Sequence, residues 1–247
     1  MSERTTLITG GAGGIGMDCA EMFAAAGHSV ALVDRNPDVH RLAAELGERH
    51  NVPTIGFVVN LAHEAEVVAL ARDALAWKGC IDILVNNAGI HPKQADRKFN
   101  LEEVTSEHWA EVFAINLTAP FILTRELLPQ MKARGWGRIV NNASTSGRTG
   151  RINGSTPYTA SKHGLIGLTR SAAIESAQSG VTVNAIAPGP VLTQRIMNAP
   201  EYRSGKAQMV RYGKPEEAAA VINFLASEAA AYVNGAVYDV NGGTLMA

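Results

Sequence analysis

TTLITGGAGGIG, residues 5–16, runs a short apolar stretch into paired glycines and on toward a segment with helical spacing. Glycines at that junction let the backbone turn tightly and approach an anion, and a helix opening there presents N–H groups with no partner inside the helix. By itself such a loop is also an ordinary tight turn, so its meaning rests on the residues downstream. The next apolar run, SVALVD at 29–34, closes on Asp34. In a dinucleotide-binding βαβ unit an acid about 20 residues past the glycines accepts hydrogen bonds from the adenosine ribose.

Further outward the same rhythm repeats. Apolar runs at Thr5–Thr9, Val30–Val33, Thr54–Val59, Ile81–Val85, Arg138–Asn142, Val181–Ala187 and Ala236–Val240 alternate with helical patterns at Gly14–Ala26, Pro37–His50, His63–Lys78, Ser106–Arg134, Pro157–Ser179 and Pro215–Ser227. Short apolar strands between longer helices predict βαβ units, hence an α/β fold with a doubly wound parallel sheet covered by helices on both faces. No linker, charge block or repeat divides the chain, so residues 1–247 read as one domain. The rhythm breaks at Ile90–Thr105 and at 188–212; both stretches follow strand ends, where open α/β sheets bind ligands, and the second is the predicted substrate loop.

Composition excludes several classes. The chain of 247 residues has a formal net charge of -1, with 46% hydrophobic and 18% charged residues. No basic field exists to collect phosphates, so nucleic acid is not an expected partner. Cys19 and Cys80 stand apart, without CxxC spacing or clustered histidines, which argues against a disulfide framework or a metal site. The N-terminus shows no secretory h-region and no apolar run has the length of a membrane span, so a cytoplasmic location without membrane association is expected.

GSTPYTASKHG, residues 154–164, places Tyr158 and Lys162 four positions apart after a proline suited to open a helix. Positions i and i+4 share a helix face. A free phenol is a poor base near neutral pH. An ammonium about 5 Å away, at an effective dielectric of about 20, stabilises a phenolate by roughly 3 kcal/mol. An exposed helical pair is the plain alternative.

With TGGAGGIG stand NNAG at 86–89, Asn116 in AINLTAPF, Ser144 in NNASTSG, YTASK at 158–162, APGPVLT at 187–193 and NGG at 241–243. In this order the chain resembles the short-chain dehydrogenase/reductase family along nearly its whole length. The resemblance implies a Rossmann-type sheet of seven strands, a nicotinamide cofactor and the tetrad Asn116, Ser144, Tyr158 and Lys162. Tyr158 would be the acid-base group, and Ser144 would donate to the substrate oxygen. Lys162 would also bind the nicotinamide ribose, and Asn116 would hold a water linking Lys162 to solvent. It further implies cofactor contacts at Gly10, Gly14, Ile15, Gly16, Asp34, Asn60, Leu61, Asn87, Gly89, Val191 and Thr193. Asn60 stands where many relatives carry Asp.

Asp34 would repel a 2′-phosphate, and the glycine loop has no Lys or Arg to neutralise one. NAD is therefore expected over NADP, with Arg35 as the complication. Two departures from the family pattern stand out. The Ser144–Tyr158 spacing is one residue longer than usual, which lets Thr145 or Ser146 compete for the serine role, and the segment after NNAG is long. His91, Lys93, Arg97, Arg148, Arg151, Asn153, Gln194 and Arg195 fall near the expected mouth and hint at a polar substrate such as a sugar, polyol or hydroxy acid, unless they are solvated loop charges. The expected reaction interconverts a secondary alcohol and a ketone. An NADPH-dependent carbonyl or 3-oxoacyl reductase and a non-catalytic nucleotide-binding sensor remain the rivals, and a homotetramer is the family's expectation.

Overall fold

Strands and helices alternate as the apolar periodicity predicts, and the computed structural model describes residues 3–92, 97–150, 154–193 and 211–246. The strands are β1 Thr5–Thr9, β2 Ser29–Asp34, β3 Thr54–Val58, β4 Ile83–Asn86, β5 Gly137–Asn142, β6 Val181–Pro188 and β7 Val237–Val240. The helices are α1 Gly14–Ala25, α2 Val39–His50, α3 Glu64–Lys78, α4 Ser106–Phe113, α5 Ala119–Arg134, α6 Thr156–Ser176 and α7 Pro215–Leu225.

The strands form one seven-stranded sheet in the order β3-β2-β1-β4-β5-β6-β7, and every ladder in it is parallel. β1 pairs with β2 on one side and β4 on the other, so the winding reverses there and the connections after β1 and β4 leave in opposite directions. That divergence opens a crevice at their carboxyl ends, where TGGAGGIG and NNAG lie. All five residues of β1 are buried. Leu7 packs on one face with Leu70, Leu123 and Ile139. Ile8 packs on the other with Phe23, Leu32 and Leu46. This is the period-two alternation of a strand covered by helices on both sides. Burying one such Leu or Phe side chain contributes about 1.5–3 kcal/mol.

The boundaries differ from the sequence expectation at informative places. β4 starts at Ile83 rather than Ile81, because Asp82 is engaged at the strand's foot: its N–H donates to Thr5 O and its carboxylate accepts Thr5 N–H, both at 2.9 Å. The expected helix 106–134 is continuous, but a π turn at Ala114–Thr118 joins α4 to α5. The extra residue in that turn aims Asn116 inward, where it is fully buried. Among the described residues no helix is long and apolar enough to cross a membrane.

Candidate active site

The glycine loop is shaped by contacts that only hydrogen permits. Gly10 and Gly14 take φ of 66° and 53°, the left-handed region that side chains disfavour. A Cβ on Gly16 would lie 2.1 Å from Gly10 O, so α1 can start over the turn only because residue 16 has none. The helix opens at Gly13 with no side-chain cap and no acid in its first turn, and a Cβ on Gly13 would meet nothing within 4 Å. Uncapped N–H groups at open space suit the pyrophosphate of a dinucleotide. Ile15, half-buried, packs against the core behind the loop.

Asp34 fixes the loop's rim. Its Oδ2 accepts Ala12 N–H at 3.1 Å and its Oδ1 accepts Asn36 N–H at 3.0 Å, while Arg35 is exposed. Opposite, Thr193 covers the loop: a Cβ on Gly14 would lie 3.1 Å from Thr193 Cγ2. Val191 is buried and bridges to Gly213.

Asn87 is spent on the protein itself. Its Nδ2 donates to Thr9 O at 2.9 Å and Gly10 O at 3.2 Å, and its Oδ1 accepts from Asn142 Nδ2 at 2.9 Å. The side chain thus fastens the ends of β1, β4 and β5 under the glycine turn. Asn60 and Leu61 sit beyond the edge strand β3. Asn60 Oδ1 accepts Ala62 N–H at 3.1 Å, and the Leu61 side chain is buried in the core. Leu61 therefore has only its main chain to offer a cofactor.

The tetrad converges at the carboxyl ends of β4 and β5 and the start of α6. Pro157 in the first turn of α6 supplies the fixed φ that favours helix initiation. Lys162 is 3% exposed, and its Nζ donates to Asn142 O at 2.7 Å. From there the ammonium stands 5.9 Å from the Tyr158 ring centre. A Cβ on Gly89 would be 3.3 Å from both Lys162 Nζ and Asn116 Oδ1, so these atoms flank the space over Gly89.

Ser144 leads into a short 3-10 turn, Thr145–Gly147, and its Oγ accepts Ser146 N–H at 3.1 Å, leaving the hydroxyl proton to donate elsewhere. Thr145 and Ser146 are buried whereas Ser144 is half-exposed. A Cβ on Gly147 would lie 2.7 Å from Lys162 O, so the serine turn can lie directly on α6.

Among the polar residues expected near the mouth, His91 meets the tetrad: its ring stacks on Tyr158 with centroids 4.3 Å apart. Arg97 pairs with Glu103, both nitrogens at 2.7 Å. Arg148 is tied to β7 through Val237 O and Asp239. Lys93, Arg151, Asn153, Gln194 and Arg195 lie outside the described residues, as does 194–210 of the expected substrate loop. Sequence reading missed Asn142, whose carbonyl anchors Lys162, and Ser161, which bonds both Asn116 and Tyr158 O. A main-chain carbonyl leaves no trace in residue type; Ser161 stands inside YTASK, without a sign of its partners.

Comparison with known proteins agrees with this geometry. A family model described as "Enoyl-(Acyl carrier protein) reductase" matches residues 10–244. The chain is 37% identical to D-beta-hydroxybutyrate dehydrogenase of Cupriavidus necator, covering 98% of each chain. L-Sorbose reductase of Gluconobacter frateurii, solved with NADPH and L-sorbose, superposes with a TM-score of 0.91 at 31% identity, covering 100% of this chain and 98% of that one. A 3-oxoacyl-[acyl-carrier protein] reductase of Brucella melitensis with bound NAD gives 0.89 at 34% identity, with 99% and 92% covered. The glycine cradle, the parallel sheet and these full-length matches place the chain in the short-chain dehydrogenase/reductase family of nicotinamide-dependent alcohol and ketone oxidoreductases.

Proposed function

We propose that this protein interconverts a polar secondary alcohol and its ketone with NAD, using Tyr158 as the acid-base group. The observation that carries the reading is the buried Lys162 ammonium, held by Asn142 O beside the Tyr158 ring. A bound nicotinamide supplies the site that accepts or returns hydride. The chain's own residues handle the proton. Tyr158 takes it from the carbinol oxygen during oxidation and returns it during reduction, and the neighbouring positive charge favours the phenolate form. Ser144, with its proton unspent, donates to the same substrate oxygen and orients it. The space over Gly89, flanked by Asn116 Oδ1 and Lys162 Nζ, suits a water that passes the proton outward.

The uncapped start of α1 would receive the pyrophosphate, with Gly10, Gly14 and Gly16 allowing close approach. Val191 and Thr193 would border the nicotinamide end. Asp34 argues for NAD: its carboxylate is fixed at the rim of the glycine loop by Ala12 and Asn36 N–H, and an acid at that place in a βαβ unit would accept from the adenosine ribose. A polar substrate is consistent with the hydroxybutyrate and sorbose enzymes this chain is similar to. A homotetramer is proposed on the family's precedent.

The test is to assay the purified protein with NAD and with NADP against secondary alcohols, polyols, sugars, hydroxy acids, 3-oxoacyl thioesters and steroids. NAD-linked turnover of a polar class is the expected result. NADPH-linked reduction of 3-oxoacyl thioesters would replace the reading with its main rival, and cofactor binding without any turnover would favour a sensor.

A further inference from the structure

Tyr158 lies within a closed circuit of contacts that runs through the segment after NNAG. Asn116 holds Ile90 as a strand partner would: its Oδ1 accepts Ile90 N–H at 2.8 Å and its Nδ2 donates to Ile90 O at 2.9 Å. The same Nδ2 donates to Ser161 Oγ at 3.2 Å, and that hydroxyl donates to Tyr158 O at 2.9 Å. His91 is the next residue in the chain after Ile90. Its ring lies on the Tyr158 ring, centroids 4.3 Å apart and planes 23° from parallel. The imidazole is itself anchored, because its Nε2 accepts Ser155 N–H at 3.1 Å. With Nε2 accepting, Nδ1 is left as the ring's donor in this arrangement.

The start of α6 has no side-chain cap. The His91 ring therefore both receives an N–H at that start and covers a face of the phenol one turn later. Rotation of a phenol about its second side-chain torsion is broad and roughly two-fold. A stacked, hydrogen-bonded ring narrows it. That rotation leaves the phenol oxygen on its axis but swings the in-plane O–H bond, and misplacing a transferring atom by about 1 Å can cost on the order of 100-fold in rate.

We propose that His91 is a positioning residue for Tyr158: anchored by Ser155 and carried by the Asn116-held Ile90, its ring fixes the plane in which the phenol presents its hydroxyl to substrate. Its effect on turnover rests on the acid-base reading of Tyr158; its effect on the ring's placement does not.

The experiment uses the full chain carrying ring-labelled tyrosine, with the Tyr158 NMR signals assigned by their loss in Tyr158→Phe. In the wild type these signals should show the ring-current shift and slowed flipping of a stacked ring. His91→Ala and His91→Gln should abolish both, and His91→Phe, which keeps the stack but not the Ser155 hydrogen bond, should retain part of each. On an alcohol that the enzyme turns over, His91→Ala and His91→Gln should lower kcat about tenfold or more. Cofactor affinity should stay within about twofold of wild type, and His91→Phe should give a rate between those of His91→Ala and wild type, as expected for a near-attack geometry rather than for binding.

Unmoved Tyr158 signals in His91→Ala, or a His91→Phe protein that behaves like His91→Ala, would overturn the proposal. If His91→Ala does not fold, the contrast between His91→Gln and His91→Phe decides. Absence of turnover on every alcohol would count against the functional reading, while the NMR contrast would still decide the role of His91.

Discussion

On the proposed reading, cofactor choice turns on Asp34. Its two oxygens are fixed by the N–H groups of Ala12 and Asn36. Replacing Asp34 with Ala should weaken NAD and relax discrimination against NADP by about tenfold or more, since one lost charge-assisted hydrogen bond is worth about 1.5–3 kcal/mol. The ratio of kcat/KM for the two cofactors checks this; an unchanged ratio would shift the choice to Arg35. The two cysteines give a second test. Cys19 is fully buried, and burial pushes its thiol well above the ordinary range, whereas Cys80 is partly exposed. A thiol reagent should modify Cys80 in the folded protein and reach Cys19 only after unfolding. At this scale the sequence exposes side chains with chemistry, such as Tyr158 and Lys162, because residue type carries it. It conceals the carbonyl of Asn142, and it leaves open whether Asn87 serves the cofactor or the three strand ends it fastens.

Elements are legible where apolar period is strong and obscure where a side chain redirects the backbone. β1 and β2 follow from their apolar runs, but the π turn at Ala114–Thr118 does not, because it depends on Asn116 finding Ile90 and Ser161 in space. The start of α1 depends on a contact that sequence suggests and geometry makes quantitative. Gly16→Ala would set a Cβ 2.1 Å from Gly10 O, so the glycine loop must shift. Cofactor affinity should fall at least about tenfold, with a stability loss of about 1–3 kcal/mol, read by binding titration and urea unfolding. At the start of α7, Arg211 and Lys214 N–H hold the Glu217 carboxyl down at about 2, against an ordinary 4.5. A lowered folded value stabilises the folded form above about pH 4.5, and that contribution disappears as pH falls toward 2. Exchange protection of the first turn of α7, taken relative to intrinsic amide rates, should therefore fall more than that of the sheet as pH drops from about 4.5 toward 2; an equal change in both would contradict the assignment.

Across the whole molecule, the strand order that reverses between β1 and β4 builds the crevice, and the helix-strand alternation announces it. The opposite end of the sheet is held by Arg138, 2% exposed, which donates to Gly137 O, Gly180 O and Ser227 O at 2.9–3.3 Å. In the sequence Arg138 reads only as the first residue of a strand, since nothing in an apolar run signals a buried guanidinium that ties its own strand to two loops. Arg138→Ala should cost about 2–4 kcal/mol by stranding those carbonyls, measured by denaturant unfolding, while the folded fraction keeps its cofactor affinity. At the other end of the molecule, proton transfer by Tyr158 is the central claim. Its most direct test is Tyr158→Phe, compared with wild type for reduced-cofactor binding by fluorescence titration and for turnover across the alcohol and ketone panel. The account predicts unchanged cofactor affinity with turnover lowered by about 100- to 10,000-fold; turnover equal to wild type would contradict it.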